Sequence, residues 1–151
     1  MSNFDAAHEF TAVWEGGLVD HPADPGGITN YGVSLRWLRS LNMDFGDIDG
    51  DGDIDADDIR SLTPEQAAGL FRQRFWDAQN LGVLPQLTAT CHYDCSVNTG
   101  PSQAARIAQR ACNSLGLPQK LKVDGIFGRL THTALKEYSS EALVRALIDE
   151  R

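Results

Sequence analysis

The feature that most restricts this chain is a run of seven aspartates in twelve residues, Asp47 to Asp58. Asp falls at the first, third, fifth, seventh and ninth places, Gly52 at the sixth, Ile54 at the eighth and Asp58 at the twelfth. This is the spacing of an EF-hand loop, in which alternating carboxylates converge on one cation and the glycine allows a sharp turn. Without a counter-ion, so many carboxylates in so short a segment repel one another. The alternative is a solvated acidic loop. The cation reading assigns Asp47, Asp49, Asp51, Asp55 and Asp58 as side-chain ligands, with Asp55 direct or through water. Asp53 contributes its carbonyl, and Asp57 points outward. Asp at the twelfth place, where Glu is commoner, resembles dockerin loops and shortens the closing arm. A single loop and only two methionines argue against a sensor, which pairs its loops and exposes a Met-rich groove. Calcium is therefore expected as a structural staple between helices ending near Met43 and starting near Thr63.

The same run carries most of the charge. The 151 residues have a net charge of −8, and without the seven aspartates it would be −1. Nucleic acid is not an expected partner, because phosphate binding needs clustered Lys and Arg. No apolar run approaches the roughly 20 residues that span a bilayer, and Met1–Asp5 is no secretory leader. The expectation is synthesis in the cytoplasm, without membrane insertion, and a monomer. Cys91, Cys95 and Cys112 are expected as buried, reduced thiols, since Cys91-His92-x-x-Cys95 is only half a zinc site.

Phe4, Ala7, Phe10 and Trp14 have helical spacing, so residues 3–15 predict an amphipathic helix stopped by Gly16-Gly17. Residues 16–33, with two prolines and five glycines, predict turns and short strands. A second helix is expected over Leu35–Met43. A third starts near Thr63, where Thr63-Pro64-Glu65-Gln66 is a capping box, and buries Leu70, Phe71, Phe75 and Trp76. Residues 86–99, 102–115, 130–138 and 140–151 complete a mainly α chain.

Glu15 stands at the expected C-terminal end of the first helix, where the dipole disfavours a negative charge. Apolar neighbours that limit hydration would also favour its neutral form, as a general acid for glycosidic cleavage requires. Alone, such a Glu is more often a solvated side chain.

Its context is distinctive. Glu15-Gly16-Gly17-Leu18-Val19-Asp20, followed by Asp24-Pro25-Gly26-Gly27-Ile28-Thr29-Asn30-Tyr31-Gly32, resembles the signature of the glycoside hydrolase family 108 muramidases of phage and prophage endolysins. Leu62–Asp77 is similar to the family's central helix, and Asp94-x-x-Val97-Asn98-x-Gly100-Pro101 to a further segment. Val123–Gly128, with Thr131 and Leu135, is similar to the paired peptidoglycan-binding module. Leu18 departs from the Tyr of many members, and the aspartate loop is an elaboration most lack.

The resemblance implies a lysozyme-like α+β fold: a helical bundle with a small β-rich excursion after the first helix and one EF-hand-type loop. It implies a catalytic region over residues 1–90 and a peptidoglycan-binding-like region over 91–151. Glu15 would be the catalytic acid. A looser parallel with phage lysozymes adds Asp24 and Thr29, although the interval between these two is one residue short. Gly27, Tyr31, Asp94 and Asn98 become candidate substrate contacts, each with packing or capping as the alternative. The implied reaction is hydrolysis of the bond between N-acetylmuramic acid and N-acetylglucosamine in the bacterial wall, reached with a holin-type partner. A lytic transglycosylase using the same Glu, or a non-catalytic wall-binding module, remains open on these residues.

Overall fold

The computed structural model describes residues 1–12, 17–20 and 27–151. Helix α1 covers Phe4–Ala12, and a two-stranded antiparallel sheet follows, β1 (Thr29–Asn30) and β2 (Val33–Ser34). Four short helices come next: α2 (Leu35–Leu38), α3 (Met43–Gly46), α4 (Ala56–Ser61) and α5 (Pro64–Phe71). A π turn at Arg72–Trp76 and two 3-10 turns, Asp77–Gln79 and Leu81–Val83, lead to α6 (Gln86–Thr99). Helices α7 (Pro101–Ser114), α8 (Arg129–Glu137) and α9 (Glu141–Asp149) complete the chain. The class is mainly α with a minimal sheet, as the sequence predicts.

The chain divides into two compact units, Thr11–Phe71 and Met1–Phe10 with Arg72–Arg151. In the first, Val33, Leu38 and Ile59 are fully buried with Ile28 and Leu62. Trp37 packs against Phe71 with ring centroids 5.0 Å apart. The buried Asn30 side chain donates to the Ile59 carbonyl at 3.0 Å, tying the sheet to α4. The sheet pairs Thr29 with Ser34 and Asn30 with Val33, so its loop is only Tyr31-Gly32. Val19 bridges to Thr29 from the other side.

In the second unit, Phe4, Trp76 and Tyr93 form an aromatic cluster with centroids 5.7–5.8 Å apart in edge-on contacts. Edge-to-face pairs at this range exploit the ring quadrupole as well as burial. The Tyr93 hydroxyl meets His8 Nδ1 at 2.8 Å. Helices α6 and α7 bury Ala89, Ala104, Ala105, Ala108 and Ala111, small side chains that let backbones approach closely, with Leu135 of α8 and Leu143 of α9 also buried.

Three expectations need correction. The second helix ends at Leu38 rather than Met43, because the Ser40 hydroxyl takes the Trp37 carbonyl at 2.6 Å and the chain turns. The buried stripe of α1 is Phe4, Ala7 and Thr11, while Phe10 is exposed; the i, i+3, i+7 face passes it by. The acidic loop leads into α4, starting at Ala56, and not into the helix at Thr63. The Thr63 capping box itself is present, with Gln66 N donating to Thr63 Oγ1 at 3.2 Å and Thr63 N to Gln66 Oε1 at 2.9 Å. Phe75 and Trp76, adjacent in sequence, are both buried because the wider π turn brings both inward. Cys95 and Cys112 are buried and Cys91 half-buried, all free, and burial raises each thiol pKa.

Candidate functional site

Glu15 and Asp24 lie outside the described residues. The excursion that follows them is described from Gly27. The Thr29 hydroxyl points back to the Gly27 carbonyl at 3.4 Å, and Gly27 has φ +74°, a conformation that suits glycine. Tyr31 and Gly32 both have positive φ, 48° and 77°. A two-residue hairpin loop of type I′ has left-handed residues at both places, a twist that matches the strands. Asn is the usual first residue. Tyr31 holds the position at a steric cost of about 1 kcal/mol, with its ring more than a third exposed. Strain retained under an exposed aromatic ring fits a side chain kept for contact rather than for packing.

In the other unit, Asp94 and Asn98 lie one turn apart on α6. Asn98 Nδ2 donates to the Asp94 carbonyl at 2.7 Å and to Asp94 Oδ1 at 3.1 Å. The other carboxylate oxygen of Asp94 pairs with Arg151, a partner that sequence reasoning missed. No local signal could have found it, because 57 residues separate the two. A cavity of about 680 Å³ beside residues 1–5 and 72–83 holds none of the expected site residues.

The backbone of the acidic loop turns at two glycines. Gly50 and Gly52 take positive φ, 80° and 97°, and Asp47 accepts the Gly50 and Gly52 N–H groups at 2.8 and 3.2 Å. Asp49 and Asp51 each accept the N–H two residues on. Two carboxylate groupings result, Asp47 with Asp49 and Asp58, and Asp53 with Asp55 and Asp58, each with oxygens within 4.8 Å. Asp51 belongs to neither. Asp57 is exposed and pairs with Arg60 at 2.7 Å. Asp58, only 1% exposed, serves both groupings and accepts N–H from Ile48, Asp49 and Asp55.

The carboxylates repel one another: the Asp53 pKa is raised from its ordinary value, first by the charge of Asp51 and then by desolvation and Asp55. Asp49 is raised, first by desolvation and then, against the Asp51 N–H bond, by Asp51 and Asp58. Oxygen donors alone, several of them anionic, on glycine-permitted turns suit a hard divalent cation. The donor set can therefore hold a metal.

The sequence profile of the family described as Glycosyl hydrolase 108 matches residues 8–100. Among solved structures the chain is similar to SagA of Brucella abortus, with 26% identity and a TM-score of 0.73. That likeness covers 97% of this chain and 76% of the other. No curated protein matches.

Proposed function

This chain belongs to the glycosyl hydrolase 108 family, and from that premise we propose that it is an endolysin-type muramidase. It hydrolyses the β-1,4 bond between N-acetylmuramic acid and N-acetylglucosamine in peptidoglycan. The observation that carries the proposal is the extent of the family match, which spans Glu15, the hairpin and the Asp94–Gly100 segment in one stretch.

Glu15 acts as the acid, protonating the glycosidic oxygen as the bond to the anomeric carbon breaks. Asp24 stabilises the positive charge that develops on the sugar, or takes the proton of the incoming water. The Thr29 hydroxyl orients that water. Tyr31 offers a stacking face at the hairpin tip, Gly27 lets backbone approach the sugar, and Asn98, supported by Asp94, contributes a polar contact. Calcium, held by carboxylates of Asp47, Asp49, Asp51, Asp55 and Asp58 together with Asp53, is structural: it neutralises the loop and fastens α3 to α4. Residues 91–151 assist in holding the wall, and a holin-type partner gives access to it.

The test is digestion of purified peptidoglycan by the wild type and by Glu15→Gln, with mass spectrometry of the fragments. Reducing-end muropeptides that disappear in the variant are the expected result. Products lighter by one water would replace hydrolysis with transglycosylation. Absence of any product from the folded wild type would overturn the enzyme reading.

A further inference from the structure

The amide of Asn98 is fixed by its surroundings. Its Nδ2 faces two acceptors, the Asp94 carbonyl at 2.7 Å and Asp94 Oδ1 at 3.1 Å, so only the NH₂ end can occupy that position. The opposite end, Oδ1, is left on an exposed residue, where it can act only as an acceptor. What holds the Asp94 carboxylate in place is Arg151, whose guanidinium pairs with Oδ2. The Asp94 side chain is 9% exposed, and such a carboxylate would otherwise be poorly solvated. Arg151 is kept in place by its neighbour. Glu150 receives Arg110 Nε at 2.6 Å on its carboxylate and Nη2 at 3.3 Å on its carbonyl. The turn after α9 is thereby pinned to α7, and Arg151 is delivered to α6.

We propose that Arg151 is a positioning residue for glycan binding. By locking Asp94, and through it the Asn98 amide, it presents the Asn98 carbonyl oxygen to a hydrogen-bond donor of the substrate. The ligand class is an N-acetylated sugar, whose acetamido N–H or hydroxyl supplies the donor. This rests on the peptidoglycan reading above. Without Arg151, the Asp94 carboxylate is free to turn away. The Asn98 amide then keeps only its bond to the Asp94 carbonyl, and its Oδ1 is held less firmly towards a donor.

The experiment compares wild type, Arg151→Gln, Arg151→Lys and Asp94→Asn. Steady-state hydrolysis of soluble peptidoglycan fragments is measured beside thermal melting. Triacetylchitotriose is titrated in parallel, with the Asn98 side-chain amide followed by NMR. The expected result is a KM raised about fivefold in Arg151→Gln with kcat within about twofold, since one oriented hydrogen bond is lost. Arg151→Lys should restore most of it, and the Asn98 NH₂ proton shifts should move towards those of a free asparagine side chain in Arg151→Gln. An unchanged KM and chitotriose affinity in a folded Arg151→Gln overturns the inference and leaves the muramidase reading intact. Wild type that binds chitotriose in an Arg151-dependent way but turns nothing over sinks the muramidase reading alone. Wild type that binds no chitotriose overturns the inference, as does a variant whose melting and kcat fall while KM stays constant.

Discussion

The Asp58 carboxylate accepts the backbone N–H of Asp55 at 2.7 Å, while the Asp55 side chain accepts from Asp57 N at 2.6 Å. These two proposed metal ligands are also the capping box of α4. Asp58→Ala removes the acceptor of three backbone N–H groups in a buried position. In chelator it should lose about 2 kcal/mol of stability by denaturant titration. In saturating calcium the loss should be larger, because binding is lost as well. Equal losses in both conditions would dissociate the cap from the ion.

Calcium should raise stability by about 2.7 kcal/mol at a hundredfold excess over its Kd. Without it, the raised carboxyls of Asp49 and Asp53 bind protons more readily in the folded chain than in the unfolded one. Their contribution is therefore destabilising at neutral pH and fades as pH falls through their raised folded values towards about 3.9. Asp53→Asn should accordingly raise the melting temperature in chelator at pH 7 and lower it in calcium. Melting curves of the variant in the two buffers, shifting in the same direction, would exclude the Asp53 carboxylate as a cation ligand.

His92 is buried, its Nδ1 lacks a hydrogen-bond partner, and Nε2 meets Gln79 Oε1 at 2.8 Å. Burial, helped by the charge of His132, lowers its pKa to about 3. The unfolded chain therefore takes up this proton near pH 6.5 and the folded chain does not, so stability falls as pH drops below that value. At pH 4 the contribution amounts to about 3 kcal/mol. The imidazole signals of His92 should stay those of a neutral ring down to pH 4.5, and His92→Phe should flatten the acid limb of the stability curve.

Tyr31 carries backbone strain at the hairpin tip. Tyr31→Gly should relieve it and stabilise the fold by about 0.5–1 kcal/mol, while raising KM on peptidoglycan through loss of the ring. A variant less stable than wild type would mean that the ring packs rather than serves the substrate.

Gln109 is 2% exposed and its amide joins the Asp124 and Gly125 N–H groups, Asp124 Oδ1, the Ile126 carbonyl and Thr131 Oγ1. Gln109→Leu keeps the bulk but strands these partners. A loss of about 3 kcal/mol in chemical denaturation is expected.

Features written in neighbouring residues were legible, and those depending on distant partners were not. Thr63 and Gln66 announce their helix because both halves of the cap lie within one turn. The loop at 47–58 is recognisable because its carboxylates alternate in a fixed period. Helix α4 escaped notice because its start, Ala56-Asp57-Asp58, reads as loop ligands, with only Ile59 as an apolar anchor. Leu41 continued an apolar spacing that Ser40 interrupts by a single hydroxyl. The Asp94–Asn98 pair could be foreseen from its spacing, whereas Arg151 could not. Glu15 and Asp24 lie outside the described residues, and their proposed roles rest on the family signature, not on periodicity.

Phe4 meets Trp76 and Tyr93 across more than seventy residues of chain, and Thr11–Phe71 forms a contiguous unit of its own. On a ribosome this imposes an order. The inner segment emerges whole and can close its own contacts, whereas Phe4 meets its aromatic partners only once Trp76 and then Tyr93 have left the exit tunnel. At roughly 5–20 residues per second, the opening residues wait several seconds with an apolar face uncovered, which makes the birth of this chain, more than its finished state, the moment of greatest exposure to misassociation.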